Sequence, residues 1–392
     1  MQAIPSGGAI DQLMRAWRQD FHRHPETAYE EVRTSGIVAQ LLRDWGIETY
    51  QGLAKTGVVG VLKGSETGPM IGLRADMDAL DILEANEFAH CSTVKGKMHA
   101  CGHDGHTAML LGAAKYLSEH RDFAGTAVFI FQPAEENECG GGRMITEGLF
   151  EQFPVDAVFG MHNWPDLPLG KAAVHDDEVM ASFDCFDIDI RGRGCHGAHP
   201  EQGVDSVAVA AQIISALQLV VSRNIAATDK AVLSVTQMHG GDMYNIIPAQ
   251  VRLSGGTRSF RPPIRDLLES RIRDTAQGIA QALGAQAEVH YDRRYPPTRN
   301  HLTQARYVLE ISRCLLGAEN VIHNPPPSAA AEDFAIMLEH KPGAYFWIGN
   351  GRHHPDAILH NPYYDFNDEL LAIGASLWVA LMQNAATGLA LT

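Results

Sequence analysis

Between residues 10 and 22 the apolar side chains Ile10, Leu13, Met14, Trp17 and Phe21 return at helical spacing, which predicts an amphipathic helix near the start of the chain. A second helix is predicted over 34–45. It is stopped by Gly46, a residue that tolerates the left-handed turn at helix ends. Short apolar runs follow at 58–62, 70–73, 127–131 and 157–161, with helical segments at 105–119 and 141–148. Strands that are apolar throughout and mixed with helices imply an α/β layer with a largely buried sheet. From residue 182 the pattern changes. Strand 183–191, loop 192–203, helix 204–222, strand 231–239, a Gly-Gly turn, strand 249–254, helix 262–283 and strand 286–291 read β-α-β-β-α-β, a ferredoxin-like unit. In its first strand Phe186, Ile188 and Ile190 alternate with Asp187, Asp189 and Arg191, so one face of this sheet is wet. Tyr295-Pro296-Pro297 ends the unit, and helical α/β texture returns. The expected architecture is α/β with two domains. Residues 1–181 plus 295–392 form one discontinuous α/β domain, and 182–294 form an inserted α+β domain.

The length of 392 residues agrees with two domains. A net charge of −16 speaks against nucleic acid or an anionic membrane as partner. It leaves an anionic small molecule open, because a local cationic pocket outweighs remote surface charge. Six cysteines, sparse and irregular, give no disulfide framework. No signal-peptide pattern is present at the start, and no run reaches the roughly 20 apolar residues that span a bilayer. A cytoplasmic enzyme is the expectation.

Candidate chemistry centres on MHACGHDGHTAMLL (98–111), where Cys101 and His103 stand two residues apart before a helix. Thiolate and imidazole together favour zinc or a neighbouring first-row metal over magnesium or calcium. Three further motifs each follow an apolar run: RADMD (74–78), QPAEE (132–136) and HN (162–163). Open α/β sheets bind ligands beyond the carboxyl ends of their strands, so these motifs should converge on one crevice. Adjacent side chains in an extended loop point to opposite sides, so Glu135 and Glu136 can serve separate roles. The plainer alternatives are a small buried Cys101 before a tight turn and an exposed acidic loop, which fits Glu138 better than the pair. His22 and His24, at a helix end before Pro25, read as structural. Asp104 reads as a helix cap, and His239, His353 and His354 as loop or structural residues. Cys91, Cys139, Cys185, Cys195 and Cys314 lack ligand company.

Taken together, HRHPETAYEE (22–31), TGVVG (56–60), GLRADMDAL (72–80), MHACGHDGHTAMLLGAA (98–114), FQPAEE (131–136), GMHNWP (160–165), GRGCHGAHP (192–200), NIIP (245–248), GGTRSF (255–260), YPPT (295–298), AEDFA (331–335) and LHNPYYDFND (359–368) resemble the M20 family of metallopeptidases. The resemblance is to its amidohydrolase branch of hippurate hydrolases, aminoacylases and auxin-conjugate hydrolases. It implies a catalytic α/β domain holding two divalent metal ions and an inserted ferredoxin-like lid and dimerisation domain. The implied ligands are Cys101, His103, Glu136, His162 and His360, with Cys101 bridging the ions as a thiolate. Zinc comes first, with manganese, cobalt and nickel as alternatives. Glu135 would be the general base toward water activated by the metals. Asp76 would orient a ligand imidazole or brace the metal loop. His196 would cross a homodimer interface to polarise the scissile carbonyl. Asn245 and Arg258 would grip the substrate, Arg258 by its bidentate fork; the alternative for Arg258 is a surface salt bridge. His199 matches no functional position. Glu332-Asp333 resembles a supporting acidic pair.

The implied reaction cleaves the amide of an N-acyl amino acid. Rivals are a dipeptidase, an N-acetyl-diaminopimelate-type deacetylase, and a non-catalytic metal- or ligand-binding protein. Closure of the two domains about the segments near 182 and 294 is implied as well. Asp81, Asn137-Glu138-Cys139 and Ala330-Ala331 depart from the family pattern near the expected pocket and bear on which substrate is taken.

Overall fold

A computed structural model describes residues 4–136, 138–352 and 354–389; Asn137 and His353 lie outside the described residues. The chain forms two compact units. The first comprises Met1–Val179, Arg299–Pro327 and Asp333–Thr392, the second Met180–Thr298 and Ser328–Glu332. The short segment 328–332 was expected with the larger domain. It joins the smaller one because the Ala181 N–H donates to the carbonyls of Ser328 (3.1 Å) and Ala330 (3.0 Å).

In chain order the first unit contains α1 (Ala9–Arg23), α2 (Val32–Asp44), β1 (Glu48–Leu53), β2 (Gly57–Lys63), β3 (Glu66–Asp76), α3 (His103–Glu119), β4 (Ala124–Gln132), α4 (Gly140–Thr146), β5 (Ala157–Trp164) and β6 (Ala172–Val174). The second adds β7 (Phe183–Arg191), α5 (Ser206–Leu219), β8 (Ala231–His239), β9 (Gln250–Ser259), α6 (Pro262–Ala282) and β10 (Gln286–Tyr295). The chain returns to the first unit with α7 (Leu302–Leu316), β11 (Val321–His323), α8 (Phe334–His340), β12 (Gly343–Gly349) and α9 (Leu371–Gly388).

The large sheet runs β1-β2-β4-β3-β5-β12-β6-β11. Its centre, β4-β3-β5-β12, is parallel. Parallel strands need helical crossovers, which bury both faces, and that is why these strands are apolar throughout. Parallel pairing also brings their carboxyl ends to one edge. Asp76 stands opposite Gln132, and β5 ends in His162-Asn163-Trp164.

The second unit's sheet has the order β8-β9-β7-β10, antiparallel throughout, as a ferredoxin-like unit requires. Phe186, Ile188 and Ile190 face Ile213 and Leu217 of α5 and Leu268 and Ile272 of α6. Two boundaries differ from the expected ones. Helix α5 starts at Ser206 because Asp205 caps the N–H groups of Val207 and Ala208. Strand β9 runs through Gly255-Gly256, which look like breakers. A Cβ on Gly255 would fall 2.4 Å from the Phe186 ring, so glycine lets the strand pass close over it.

Among the described residues two helical stretches, Ser206–Asn224 and Asp368–Gly388, are long and apolar enough on average to cross a membrane by length and composition, although neither is an unbroken apolar run. The most apolar part of the latter is 72% buried, as in a core helix; that of the former is 33% buried. Its length comes from a π-turn, Val220–Asn224, that extends α5.

The His22 expectation gains a mechanism. Its ring bridges two carboxylates, Asp104 at 2.8 Å and Glu84 at 3.1 Å. Burial opposes the charge on this imidazole, and the two carboxylates outweigh it, so its pKa is raised. Arg18 pairs with Asp104 at 3.1 Å and with Asp365. Asp104 is therefore an internal anchor that ties α1 to the start of α3 and to the 365–368 turn, rather than a solvent-side cap.

Candidate metal centre

The centre is assembled where β3, β4 and β5 end and α3 begins. Cys101 is buried on the turn into α3, and His103 is the first residue of that helix. Gly102 between them has φ +94°, and a Cβ there would lie 2.4 Å from Asn163 Nδ2 and 2.5 Å from Tyr364 Oη. Only glycine allows this turn, and the turn aims Cys101 and His103 together. Asn163 secures it: its Nδ2 donates to the Cys101 carbonyl at 2.7 Å, while its Oδ1 accepts from the Tyr364 hydroxyl at 2.6 Å.

Two sets of donor atoms share Cys101. The sulfur lies with His103 and His162 in one triad and with Glu136 and His360 in another; within each, ligand atoms are no more than 4.8 Å apart. His103, Glu135 and Glu136 form a third such group. The imidazoles are oriented for this. His103 Nδ1–H donates to Asp78 Oδ1 (3.3 Å), which leaves Nε2 buried without a hydrogen-bond partner among the described residues. His162 Nδ1–H donates to the Asn163 carbonyl (2.6 Å) and turns Nε2 toward Cys101 Sγ at 3.4 Å. His360 is half-exposed, with Nε2 3.0 Å from Glu136 Oε1. A ring that spends its Nδ1–H on a backing acceptor presents a lone pair at Nε2, as metal-bound histidines do.

The electrostatics fit cations. Burial, and then the carboxylates of Glu136 and Glu135, push the Cys101 thiol well above its ordinary range. A divalent ion would reverse that, since coordinated thiols lose their proton. Burial lowers the His103 pKa, yet Asp76 and Asp78 outweigh it and hold it at about 10, so without an ion Nε2 carries a proton that a bound cation would replace. Charge is thus wanted where the donor atoms converge. Burial, then His106, pushes His162 well below the usual imidazole range, so it stays neutral. Sulfur, imidazole and carboxylate in two sets with a common sulfur fit a pair of borderline-soft divalent ions.

Asp76 was expected to orient a ligand imidazole or brace the loop. It receives the His106 Nδ1–H at 2.6 Å and Arg74 Nη1 at 2.7 Å, and His103 Nε2 lies 3.7 Å away. His106 is fully engaged, since its Nε2 accepts the Asn163 N–H at 3.0 Å, and so it is no ligand candidate. A further brace is Asp78, which the sequence reading did not single out. Asp78 accepts the Glu135 N–H at 3.0 Å and the Glu136 N–H at 2.9 Å as well as the His103 ring. A signal was present: Asp76 and Asp78 alternate in RADMD and so share a side. Asp333 lies beneath, holding Gln132 (2.9 Å), the Gly141 N–H (2.7 Å) and Arg74 (3.0 Å), and donating its own N–H to Glu135 Oε1 at 3.4 Å.

Beside Glu136 opens a cleft of about 600 Å³, whose lining includes Tyr29, Lys55, Leu80, Asp81 and Glu138. Among the described residues seven non-glycine positions have positive φ: Tyr29, Ala54, Lys55, Ala134, Cys139, Asn324 and His360. All but Asn324 line the cleft, adjoin its lining, or belong to the donor loops. Strain gathered in one place marks a functional region.

Three expected site residues belong to the second unit. His196 sits in a two-residue strand paired with Ile246-Ile247, and the Gly197 N–H donates to the Asn245 carbonyl at 2.7 Å. His196 and Asn245 are therefore neighbours, both exposed. Arg258 has no salt bridge among the described residues. Its guanidinium stacks 4.1 Å from the Phe183 ring centroid and donates only to the Thr257 carbonyl at 3.0 Å. The six cysteines are free, as expected of a chain without a disulfide framework.

An α/β sheet carrying, at its carboxyl edge, two donor sets with a common cysteine and a buried glutamate alongside defines a two-metal hydrolase. Residues 72–384 match peptidase family M20/M25/M40, and the chain belongs to that family as a metal-dependent amidohydrolase. It is 40% identical to the hippurate hydrolase of Campylobacter jejuni over 97% of this chain and 98% of that protein. It is likewise 40% identical to an N-acetylcysteine deacetylase of Bacillus subtilis, over 93% of this chain and 94% of that one. Among solved structures, a dinuclear metal-binding peptidase of the M20 family from Bacillus subtilis superposes with a TM-score of 0.85 at 36% identity, covering 96% of this chain and 99% of that one.

Proposed function

We propose that this chain hydrolyses the amide bond of N-acyl amino acids, releasing a carboxylic acid and a free amino acid. The observation that carries the reading is the pair of donor triads sharing Cys101 with Glu135 buried beside them. The names of the relatives, a hippurate hydrolase and an N-acetylcysteine deacetylase, supply the substrate class. Cys101, His103 and His162 would hold one ion, and Cys101, Glu136 and His360 the other. This donor set suits Zn²⁺, with Mn²⁺, Co²⁺ or Ni²⁺ as alternatives. Such ions, when bound, lower the pKa of water and polarise a carbonyl.

The remaining work falls to side chains. Glu135 takes the proton of the attacking water and delivers it to the amide nitrogen as the C–N bond breaks. Asp78 fixes the Glu135-Glu136 backbone, so one carboxylate meets metal and the other meets water. Arg258 holds the substrate carboxylate through a fork that no carboxylate among the described residues occupies. Asn245 adds a hydrogen bond to the substrate, and the His196 N–H donates to the carbonyl oxygen as negative charge develops there.

His196 is proposed to act from a partner subunit. The support is apolar surface on the second unit: Tyr244 and Ile246 flank Asn245 in solvent, and Leu219, Val232 and Met238 are exposed as well. Mixing equal amounts of His196→Ala and Glu135→Gln chains should restore about a quarter of wild-type activity. Half of the dimers would be mixed, each with one intact site. No recovery at any mixing ratio would place His196 in cis or outside catalysis.

The direct test uses metal-stripped protein resupplied with Zn²⁺, Mn²⁺, Co²⁺ or Ni²⁺ and follows free-amine release from N-acyl amino acids and dipeptides. Metal-dependent cleavage of the acyl amino acids is expected. A folded, fully loaded protein that turns over none of them would sink the reading. Asp78→Ala should weaken metal affinity by about 10- to 100-fold, the usual effect of removing a carboxylate that backs a ligand imidazole. Titration of the stripped variant measures this, and unchanged affinity would remove Asp78 from the supporting shell.

A further inference from the structure

Phe183 opens β7, and its half-buried ring lies against two guanidiniums, Arg258 at 4.1 Å and Arg294 at 5.5 Å from the centroid. Tyr295 packs edge-on against the same ring at 6.2 Å. The two arginines differ in what else they hold. Arg294 Nε donates to Asp292 at 2.9 Å. Arg258 has no carboxylate partner among the described residues and bonds only to the carbonyl of its own neighbour, Thr257. Nearby Arg265 shows the usual solution, a bidentate pair with buried Asp184. A half-buried guanidinium with its charge left to an aromatic face is costly unless a further anion meets it. Burial lowers the Arg258 pKa, in line with a cation short of counter-charge.

We propose that Phe183 is a positioning residue that holds the Arg258 guanidinium plane in place, so that its fork is ordered before a substrate carboxylate arrives. The inference rests on the reading of Arg258 as the carboxylate grip. Arginine has several rotatable bonds, and freezing them on binding weakens affinity; a ring that freezes them beforehand removes that loss. The ring also shields one face of the guanidinium from water, which strengthens its bond to a carboxylate.

The readout is the ratio of kcat/KM for an N-acyl amino acid to that for the matching N-acyl amino acid amide, which lacks the carboxylate. Phe183→Leu and Phe183→Met keep apolar volume and lose the ring face. Each should reduce the ratio by roughly 2- to 30-fold, the span of measured cation–π contributions. Phe183→Tyr should retain it. An equal fall on both substrates, in whichever of the Leu and Met variants folds, would show a merely structural role and overturn the inference. Arg258→Met separates the two readings. If it leaves the ratio intact, the Arg258 grip itself fails; if it abolishes the ratio while Phe183→Leu does not, only the Phe183 inference fails.

Discussion

Glu135→Gln should lower kcat by about 10²- to 10⁴-fold, the usual contribution of a positioned general base, while two metal ions per chain stay bound. The substitution is close to isosteric. Glu135 is held by its backbone, whose N–H goes to Asp78, and its Oε1 accepts the Asp333 N–H; a glutamine oxygen can keep that second bond. What glutamine cannot do is take a proton. KM should change little, because the substrate-gripping side chains are untouched. Glu136→Gln is the contrast. Its Oε1 faces His360 Nε2 at 3.0 Å in the second donor triad, so that variant should lose metal as well as rate. Elemental analysis of dialysed protein alongside steady-state kinetics distinguishes the two. Turnover of Glu135→Gln within tenfold of wild type would move proton transfer to another group.

Much of this site was legible because its residues obey strand and helix arithmetic. Apolar runs marked the parallel strands, and chemistry placed just after each run had to gather at one edge. That arithmetic covers RADMD, QPAEE and HN; the grouping of Cys101 and His103 with Glu136, His162 and His360 was implied by the family resemblance, since His360 follows no such run. The alternation of Phe186, Ile188 and Ile190 likewise gave the second unit its wet and dry faces. What stayed hidden depends on partners far away in sequence. Asp76 and Asp78 share one side of one strand end, and nothing local says which of them meets His103 and which meets His106. Asp104 looks like a helix cap until Arg18, some 86 positions earlier, proves to be its counter-ion. For Arg258, expected to grip substrate, a surface salt bridge stayed open as the alternative, because an aromatic partner 75 residues upstream leaves no periodic trace. The positive φ angles at Tyr29, Lys55 and Ala134 were hidden too, since none of these residues favours the left-handed region.

Gly102→Ala should lose both metal ions although no ligand is changed. A side chain at φ +94° costs roughly 1–2 kcal/mol, and overpacking against fixed neighbours costs roughly 1–3 kcal/mol more. The neighbours here are not flexible ends: Asn163 Nδ2 and Tyr364 Oη would sit 2.4 and 2.5 Å from the new Cβ, and both are buried and hydrogen-bonded to each other or to the Cys101 carbonyl. Relief therefore comes from moving the 101–103 backbone. That swings Cys101 and His103 apart, breaks the vertex common to both donor triads, and frees the carbonyl that Asn163 holds. A displacement near 1 Å is enough to cost about 10²-fold in rate, and the loss of metal should deepen that. The domain itself should remain folded, because a destabilisation of this size lies below the stability of most native domains. Gly36→Ala serves as the matched control. Its Cβ would meet nothing within 4 Å on α2, so it should be neutral or slightly stabilising through helix propensity. Metal content, kcat and the melting temperature of the metal-stripped protein decide the matter. A Gly102→Ala protein that binds two ions with wild-type affinity would show that the turn can yield elsewhere, and that Cys101 and His103 are positioned by something other than this glycine.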